Sequence, residues 1–286
     1  MIDYKMRKRI LRIAFQIFVV VLLTLLTQIG GVIYLLCLPV FRYFNEKYGR
    51  QILRILLRIT VFSVVYGIAT FMIVPPVAVH FGRVPMPFND DSSRIQPWNF
   101  TTVLLNRHYV LPNLKVVTEG VAEKLSKTSP GSVITYLDCG FPFFDGFRLF
   151  PHLSHNDGRK IDISFFYLNA ATKKPTNERP SWLGYGVCEE PRSGEEDRPT
   201  YCKEQGFWQY DFMHRFIIPQ GTKADFLLDE RRTRELMRLF LADNRVQVIL
   251  IEPHLEKRLG FTNTQKVWTP PCESVRHDDH IHVAIY

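Results

Sequence analysis

The chain closes on the stretch RHDDHIHVAIY, residues 276–286. In its second half, His280 and His282 alternate with isoleucine and valine residues. Successive side chains of a β-strand point to opposite faces, so this alternation predicts a strand with one face in a hydrophobic core. The same period places the two imidazoles side by side on the other face of that strand.

A second stretch, FPHLSHNDGRKID at residues 150–162, carries two histidines and two aspartates around a glycine. Gly158 permits a tight turn, which can bring His155 from a loop to a position beside Asp162 on the following strand. Asp162 stands between isoleucines in a predicted strand at 161–168. A carboxylate in such surroundings is unfavourable unless it pairs with another group or binds a metal.

Together, His155, Asp162 and one of His280 and His282 supply two nitrogens and one oxygen. That ligand set suits a tetrahedral Zn²⁺ with one position open for water. Zinc lowers the pKa of bound water toward ~7 and polarises carbonyl groups. The residues therefore predict a zinc site that could hydrolyse an amide bond.

The spacing of these residues resembles a known superfamily. A pattern of H-x6-D followed much later by H-x-H on a strand is typical of the peptidases that include lysostaphin-like enzymes, D-Ala-D-Ala peptidases and the hedgehog signalling domain. Within this superfamily the chain looks most like the penicillin-insensitive murein endopeptidases. Their first motif contains H-x-x-H, which His152 and His155 match here.

The last motif of these endopeptidases reads as a histidine, two residues and H-x-H, which His277, His280 and His282 match. The stretch VQVILIEPHLEKRLG also looks like the strand and helix that precede this motif. The resemblance covers roughly residues 116–286, and it is much stronger in the motifs than elsewhere. The N-terminal apolar segments and the cysteines do not follow the family pattern.

The resemblance implies a role for each matched residue. The zinc ligands would be His155, Asp162 and His282. His280 would face the active site and stabilise a developing oxyanion or transfer protons, with His277 and His152 as nearby polar helpers. Candidates for a separate carboxylate base are Glu273, Asp278 and Asp279.

Two long uncharged runs, at residues 13–41 and 59–79, precede this region. A helix needs ~20 apolar residues to cross a bilayer, so both runs predict membrane association. Gln28, Gly30 and Gly31 interrupt the first run, which is either one tilted helix or a re-entrant one. We therefore divide the chain into a membrane anchor at 1–80, a linker or lead-in at 81–115 and a zinc peptidase domain at 116–286.

Basic residues favour the cytoplasmic side of a membrane. They are dense before the first run and between the two runs, and sparse after the second. The second run therefore most simply leads outward and places the C-terminal domain outside. Two full spans would then put the basic N-terminus outside as well, against the rule, and a re-entrant first segment would resolve this conflict.

The globular part mixes helices and strands without regular alternation. We predict helices at 116–127 and 229–243, strands at 133–137, 161–168, 246–251 and the C-terminus, and a long polar loop at 170–206. This mixture favours the α+β class, here an antiparallel-sheet zinc peptidase domain preceded by transmembrane helices.

The cysteines outside the apolar runs form an even set: Cys139, Cys188, Cys202 and Cys272. An even set is compatible with two disulfides in an extracytoplasmic compartment. We predict Cys188–Cys202 and Cys139–Cys272, the alternative being free buried thiols.

The net charge of +8 indicates an anionic neighbour. The basic residues flanking the apolar runs make membrane lipid the simplest one, and no nucleic-acid-binding motif is present.

The sequence therefore predicts a zinc metallopeptidase of the bacterial inner membrane that faces the periplasm or cell wall. The resemblance implies that the substrate would be a peptidoglycan stem peptide and the cleaved bond a D-Ala to diamino-acid cross-link. A carboxypeptidase or an amidase acting on another bond of the same polymer would use the same ligands. The alternative is a non-catalytic zinc-containing module on the same fold that binds or senses the cell wall. The sequence indicates no particular protein partner.

Overall fold

A computed structural model of the chain describes residues 4–88, 94–150, 152–218 and 220–286. The N-terminal helical unit comprises helices α1 (Tyr4–Thr27), α2 (Gly30–Lys47), α3 (Gln51–Ile68) and α4 (Val74–His80). A π-helical turn, Ala69–Ile73, joins α3 to α4. Two segments, Tyr4–Thr27 and Gln51–His80, are long and apolar enough to cross a membrane.

The first apolar run folds as a helical hairpin. Gln28 adopts a positive φ of 66°, and α2 turns back against α1 at the two glycines that follow. A Cβ atom on Gly31 would lie 2.6 Å from the carbonyl oxygen of Val20, so a larger residue could not pack there. The predicted interruption at Gln28, Gly30 and Gly31 is therefore the turn of this hairpin.

Most side chains of α1 have no protein cover. Phe15, Ile17 and Phe18 are 63%, 58% and 60% exposed, although they are large and apolar. A buried core helix of a soluble protein would hide such side chains. An apolar helix exposed in this way is suited to contact with lipid.

The C-terminal part carries the remaining elements. Its helices are α5 (Phe100–Leu104), α6 (Pro112–Thr128), α7 (Arg198–Glu204), α8 (Glu230–Leu241) and α9 (Pro253–Arg258). Its strands are β1 (Val84–Pro85), β2 (Ile95–Pro97), β3 (Tyr109–Val110), β4 (Ile134–Tyr136), β5 (Lys160–Ser164), β6 (Tyr167–Asn169), β7 (Pro175–Thr176), β8 (Phe226–Leu228), β9 (Val246–Leu250), β10 (Val267–Trp268) and β11 (His280–Ile285). Shorter helical turns lie at Trp208–Asp211, Met213–Ile217 and Gly221–Asp225.

The main sheet has six strands in the order β10-β9-β11-β5-β4-β2. Its central pairs are antiparallel, whereas the edge pairs β10–β9 and β2–β4 are parallel. The fold is thus α+β, as predicted, but the sheet is mixed rather than antiparallel throughout. Strand β2 lies within the predicted lead-in at 81–115, so part of that segment belongs to the sheet.

Helices α6 and α8 cover one face of this sheet. Leu125 of α6 and Phe240 of α8 are fully buried in the same cluster as Ile163 and Val283 of the central strands. Asp229 caps α8 by accepting a hydrogen bond from the backbone N–H of Arg232, which fixes the start of that helix. The predicted apolar faces of β5 and β11 therefore form the core, and their polar residues face the other way.

The predicted strand at 161–168 is divided between two sheets. It forms β5 in the main sheet and β6 in a smaller sheet of order β7-β6-β8. Phe165 and Phe166 lie between the two strands and are both buried. Their burial explains why the apolar pattern continued across the break and suggested a single strand.

The disulfide prediction was wrong. Cys202 on α7 bonds to Cys272, whereas Cys139 and Cys188, like Cys37, are buried free thiols in the described residues. Cys139 lies three residues beyond β4 and is buried in the hydrophobic core cluster, whereas Cys272 packs with Cys202 in a separate small cluster. One cross-link, not two, therefore ties the long polar segment to the C-terminal strand region.

Replacing Cys202 with serine is expected to lower the stability of the folded domain. The disulfide spans 70 residues of sequence, and closing a loop of that length contributes about 4 kcal/mol in the chain-entropy model. Thermal unfolding of the detergent-solubilised protein would measure the loss. Cys188→Ser is the matched control, because it replaces a cysteine that forms no disulfide. An equal loss of stability in both variants would contradict the assignment of the Cys202–Cys272 disulfide.

Candidate metal centre

The register of the central strands brings two predicted ligands together. In the antiparallel pair β11–β5, His282 lies opposite Asp162, and His280 lies opposite Ser164. Opposite residues of an antiparallel pair share one face of the sheet, with their side chains in contact. This face points away from α6 and α8, so it presents a carboxylate and two imidazoles.

The third predicted ligand comes from the metal-site loop, residues 137–150 and 152–159, which leads from β4 to β5. Gly158 adopts a positive φ of 69°, and the side chain of Arg83 packs where a Cβ atom would stand. Its carbonyl accepts a hydrogen bond from the backbone N–H of Leu111. The turn at Gly158 returns the chain to β5 and leaves His155 fully buried beside Asp162.

The three side chains form a small triangle of possible ligand atoms. Nε2 of His155 lies 3.1 Å from Oδ1 of Asp162 and 3.1 Å from Nδ1 of His282, and these last two atoms are 2.8 Å apart. A point about 2 Å from all three atoms, the usual zinc–ligand distance, lies roughly 1 Å out of their plane. The group could therefore hold a metal ion and leave one side of it open.

Neighbouring groups orient two of these ligands. Nδ1 of His155 lies 2.5 Å from the carbonyl oxygen of Cys139, so an N–H there would leave the Nε2 lone pair directed at the triangle. The hydroxyl of Tyr185 donates to Oδ2 of Asp162 at 2.9 Å and accepts from the backbone N–H of Asp138. Oδ1 of Asp162 is thus left free for the ion.

The electrostatic environment favours the forms that bind metals at two of the three positions. Burial would raise the pKa of Asp162, but the His155 and His280 imidazoles lower it well below its usual value. Burial lowers the pKa of His282 to about 4, which keeps that imidazole neutral. Burial also acts on His155, but Asp162 raises its pKa, so metal binding must displace a proton there and weakens as the pH falls.

Replacing Tyr185 with phenylalanine is expected to weaken Zn²⁺ binding by about tenfold to a hundredfold. The change removes the hydrogen bond to Oδ2 of Asp162 and leaves the Asp138 N–H without its acceptor, while the ring keeps its place. Competition with a chelator would measure the affinity. Tyr201→Phe, at an exposed position on α7, is the control, and equal affinities for both variants would contradict this role.

His280 stands beside the triangle with one nitrogen free. Its Nδ1 contacts a carboxylate oxygen of Asp279, whereas its buried Nε2 has no hydrogen-bond partner among the described residues. That Nε2 lies 3.7 Å from Oδ1 of Asp162. Burial lowers the pKa of His280, but Asp279 and Asp162 together raise it to about 9. An unpartnered nitrogen at this position can donate to a group bound at the triangle.

The two remaining predicted histidines lie in the same cluster. The ring of His277 lies 4.8 Å from that of His280, and its Nδ1 lies 2.7 Å from the carbonyl oxygen of Val275. His152 contacts Asp138 through Nδ1 at 3.0 Å and lies 3.3 Å from Oδ2 of Asp162. The structure thus brings all six predicted site residues together.

The sequence did not predict the contacts of three residues that support the cluster. Asp138 holds His152, Tyr185 holds Asp162, and Asp279, one of three carboxylates considered as a base, holds His280. Asp138 directly follows the predicted strand at 133–137, and this position at the end of a strand is the only feature of the sequence that could have indicated its role. The other two candidate bases lie outside the triangle: Asp278 pairs with Arg276, and Glu273 is exposed.

A narrow cleft opens beside the cluster. Its empty space, including the open mouth, is about 300 Å³, and its walls include His152, Tyr185, Tyr210, Arg276 and Asp279. Arg276 forms ion pairs with Asp278 and Asp211, which neutralise its charge at the wall of the cleft.

Two comparisons with known proteins gave no match. No protein-family model matches the chain. A search of curated proteins found no significant match either. The fold and site define an α+β domain with a buried His–Asp–His group that could hold a metal ion, joined to helices long and apolar enough to span a membrane.

Proposed function

We propose that this chain is a membrane-anchored, zinc-dependent peptidase that hydrolyses an amide bond in peptidoglycan stem peptides. The observation that carries the proposal is the triangle of His155, Asp162 and His282, with the unpartnered Nε2 of His280 at 3.7 Å from Oδ1 of Asp162. Two nitrogens, one oxygen and an open position are the ligand arrangement of catalytic rather than structural zinc sites.

The side chains around the triangle have separable tasks. A zinc ion held there would supply Lewis-acid activation of a water and of the scissile carbonyl. The Nε2 atom of His280 is placed to donate a hydrogen bond to the oxygen that becomes negative, and Asp279 holds the ring in that orientation. Burial, together with the neighbouring His280 and His282, holds the pKa of His277 well below its usual value, so its imidazole stays neutral and can accept a hydrogen bond at the second nitrogen.

The substrate class rests on the resemblance of the histidine and aspartate motifs to murein endopeptidases. Those motifs imply cleavage of a D-Ala to diamino-acid cross-link. A zinc ion held by these ligands would have the chemistry for amide hydrolysis in general, and a carboxypeptidase or an amidase of the same polymer would use the same ligands.

The hairpin supports a location at the outer face of the cytoplasmic membrane. Because α2 turns back along α1, the basic start of α1 and the basic segment at 42–58 lie at the same end, away from the domain. The positive-inside rule then places both basic segments in the cytoplasm and the domain outside. The Cys202–Cys272 disulfide is in keeping with an oxidising compartment.

One observation favours the second candidate, a non-catalytic zinc module that binds or senses the cell wall. The three ligands and His280 are almost completely buried, and Tyr185 packs over them with its ring 4.4 Å from that of His152 and 5.0 Å from that of His280. A peptide would reach the triangle only if the segment carrying Tyr185 moved.

Digestion of purified cross-linked muropeptides separates the two candidates. The full-length protein in detergent, loaded with Zn²⁺, would be incubated with muropeptide dimers, and the products identified by mass spectrometry. We expect dimers to become monomers, with loss of activity on chelation and full activity in a His80→Ala control, which alters an exposed histidine of α4. A folded, zinc-loaded protein that leaves the dimers intact would favour the binding module.

A further inference from the structure

The turn of the helical hairpin is buried, although the helices on either side of it are largely exposed. Thr27, Gln28, Gly30 and Gly31 all lie in the interior, where the hairpin meets the C-terminal domain. We call these residues, with Ile29, the hairpin tip. A polar glutamine within an apolar run is unfavourable in a membrane, so its position calls for a specific partner.

That partner belongs to the metal-site loop. Oε1 of Gln28 accepts a hydrogen bond from the backbone N–H of Phe143 at 3.0 Å. Phe143 lies in sequence between Cys139, whose carbonyl contacts the His155 ring, and His152, which lies beside Asp162. The side chain therefore links the membrane hairpin to the backbone of the loop across 115 residues of sequence.

Further contacts fix the tip against the domain. Asn106 is fully buried, and its Nδ2 donates to the hydroxyl of Tyr66 on α3 at 3.1 Å and lies 3.5 Å from the carbonyl oxygen of Thr27. The Tyr66 hydroxyl in turn donates to the carbonyl oxygen of Leu104 at 2.6 Å. Helices α1 and α3 thus meet the domain through a connected set of hydrogen bonds.

The loop is also held from its other side. Phe143 packs against Phe81, just after α4, with ring centroids 5.1 Å apart. Arg83 forms an ion pair with Asp145 of the loop, and its side chain lies against Gly158 at the turn before β5. The loop is therefore held at Phe143, Asp145 and Gly158 by side chains that directly follow the N-terminal helical unit.

The same loop sets the geometry of the metal centre. The carbonyl of Cys139 orients His155, and Asp138 orients His152. A shift of the backbone near Phe143 would move that carbonyl and rotate the His155 ring away from the other two ligands. Ligand atoms must stay within a few tenths of an ångström of their positions for a metal to bind tightly.

We propose that the hairpin tip is a positioning element of the metal centre, in which Gln28 holds the metal-site loop through the N–H of Phe143. The membrane segment is then part of the site's supporting structure as well as an anchor. This inference rests on the metal-binding part of the proposed function, and it is independent of the substrate.

The test uses the full-length protein in detergent with Gln28 replaced by methionine. Methionine keeps the length and volume of the side chain but removes the acceptor. Leu25→Met is the matched control, because it introduces the same residue at an exposed position on α1, three residues before Gln28. Co²⁺ is the probe, since its visible spectrum reports ligand geometry and its affinity can be measured by competition with a chelator.

We expect Gln28→Met to bind Co²⁺ about tenfold more weakly than Leu25→Met and to show an altered spectrum. Backbone amides of residues 140–150 should also exchange hydrogen about tenfold faster, while the thermal midpoint of the metal-free protein stays close to that of the control. Affinity, spectrum and exchange all equal to those of Leu25→Met would overturn the proposal. A wild-type protein that binds Co²⁺ but leaves muropeptides intact would count against the proposed peptidase activity alone.

Discussion

Asparagine in place of Asp162 is expected to abolish zinc binding and, with it, any amide hydrolysis. Oδ1 of this residue closes the triangle, at 3.1 Å from the His155 nitrogen and 2.8 Å from the His282 nitrogen. Asparagine has the same shape, but its neutral amide oxygen is a poor zinc ligand. We expect affinity to fall by about three orders of magnitude or more, because a closed set of three ligands is reduced to two imidazoles.

The measurement is the zinc content after dialysis against a weak chelator, together with the affinity from competition. Asn177→Ala, outside the cluster, serves as a control for handling and purity. Because Asp162 is almost completely buried, thermal unfolding must show that the variant is folded before the result is interpreted. Zinc retained at one ion per chain with unchanged affinity would contradict the assignment of the ligand triangle.

The central strands could be predicted from the sequence because their information is local. In β11 and β5 every second residue is apolar, so a period of two identified both the strand and the face that carries His280, His282 and Asp162. The contact between the two strands joins residues distant in sequence. It could still be predicted, because the polar residues of both strands were expected to bind the same zinc ion.

The supporting groups could not be predicted because they come from distant segments with ordinary local patterns. Tyr185 reaches Asp162 from the long polar stretch at 170–206, in which no periodic pattern marks one aromatic residue above another. Asp138 lies after a short strand, and its pairing with His152 depends on how the metal-site loop folds. Histidines and a carboxylate within apolar strands stand out in the sequence, whereas residues such as Tyr185 and Asp138 acquire their role only from contacts that the folded chain creates.

The cysteines and the hairpin illustrate the same limit. Each disulfide connectivity of Cys139, Cys188, Cys202 and Cys272 was equally consistent with their number, and only the three-dimensional path of α7 brings Cys202 to Cys272. Gln28 was visible as an interruption of an apolar run. Its partner, the N–H of Phe143, is a backbone group, and the sequence carries no mark of it.

Alanine in place of His280 is expected to lower amide hydrolysis by about a hundredfold to a thousandfold while zinc remains bound. The side chain does not belong to the ligand triangle, but its unpartnered Nε2 lies 3.7 Å from Oδ1 of Asp162 and can donate to a group bound at the triangle. The loss should appear in kcat more than in KM, because the hydrogen bond strengthens as the oxygen becomes negative.

Comparing this variant with Asp162→Asn distinguishes an enzyme from a binding module. In an enzyme, Asp162→Asn loses zinc and turnover together, whereas His280→Ala keeps zinc and loses turnover alone. In a module that only binds the cell wall, the wild type shows no turnover and His280→Ala changes at most its affinity for muropeptides. Zinc content, thermal midpoint and muropeptide turnover of the three proteins, measured side by side, would decide between these cases, and loss of zinc from His280→Ala would show that this histidine is itself a ligand.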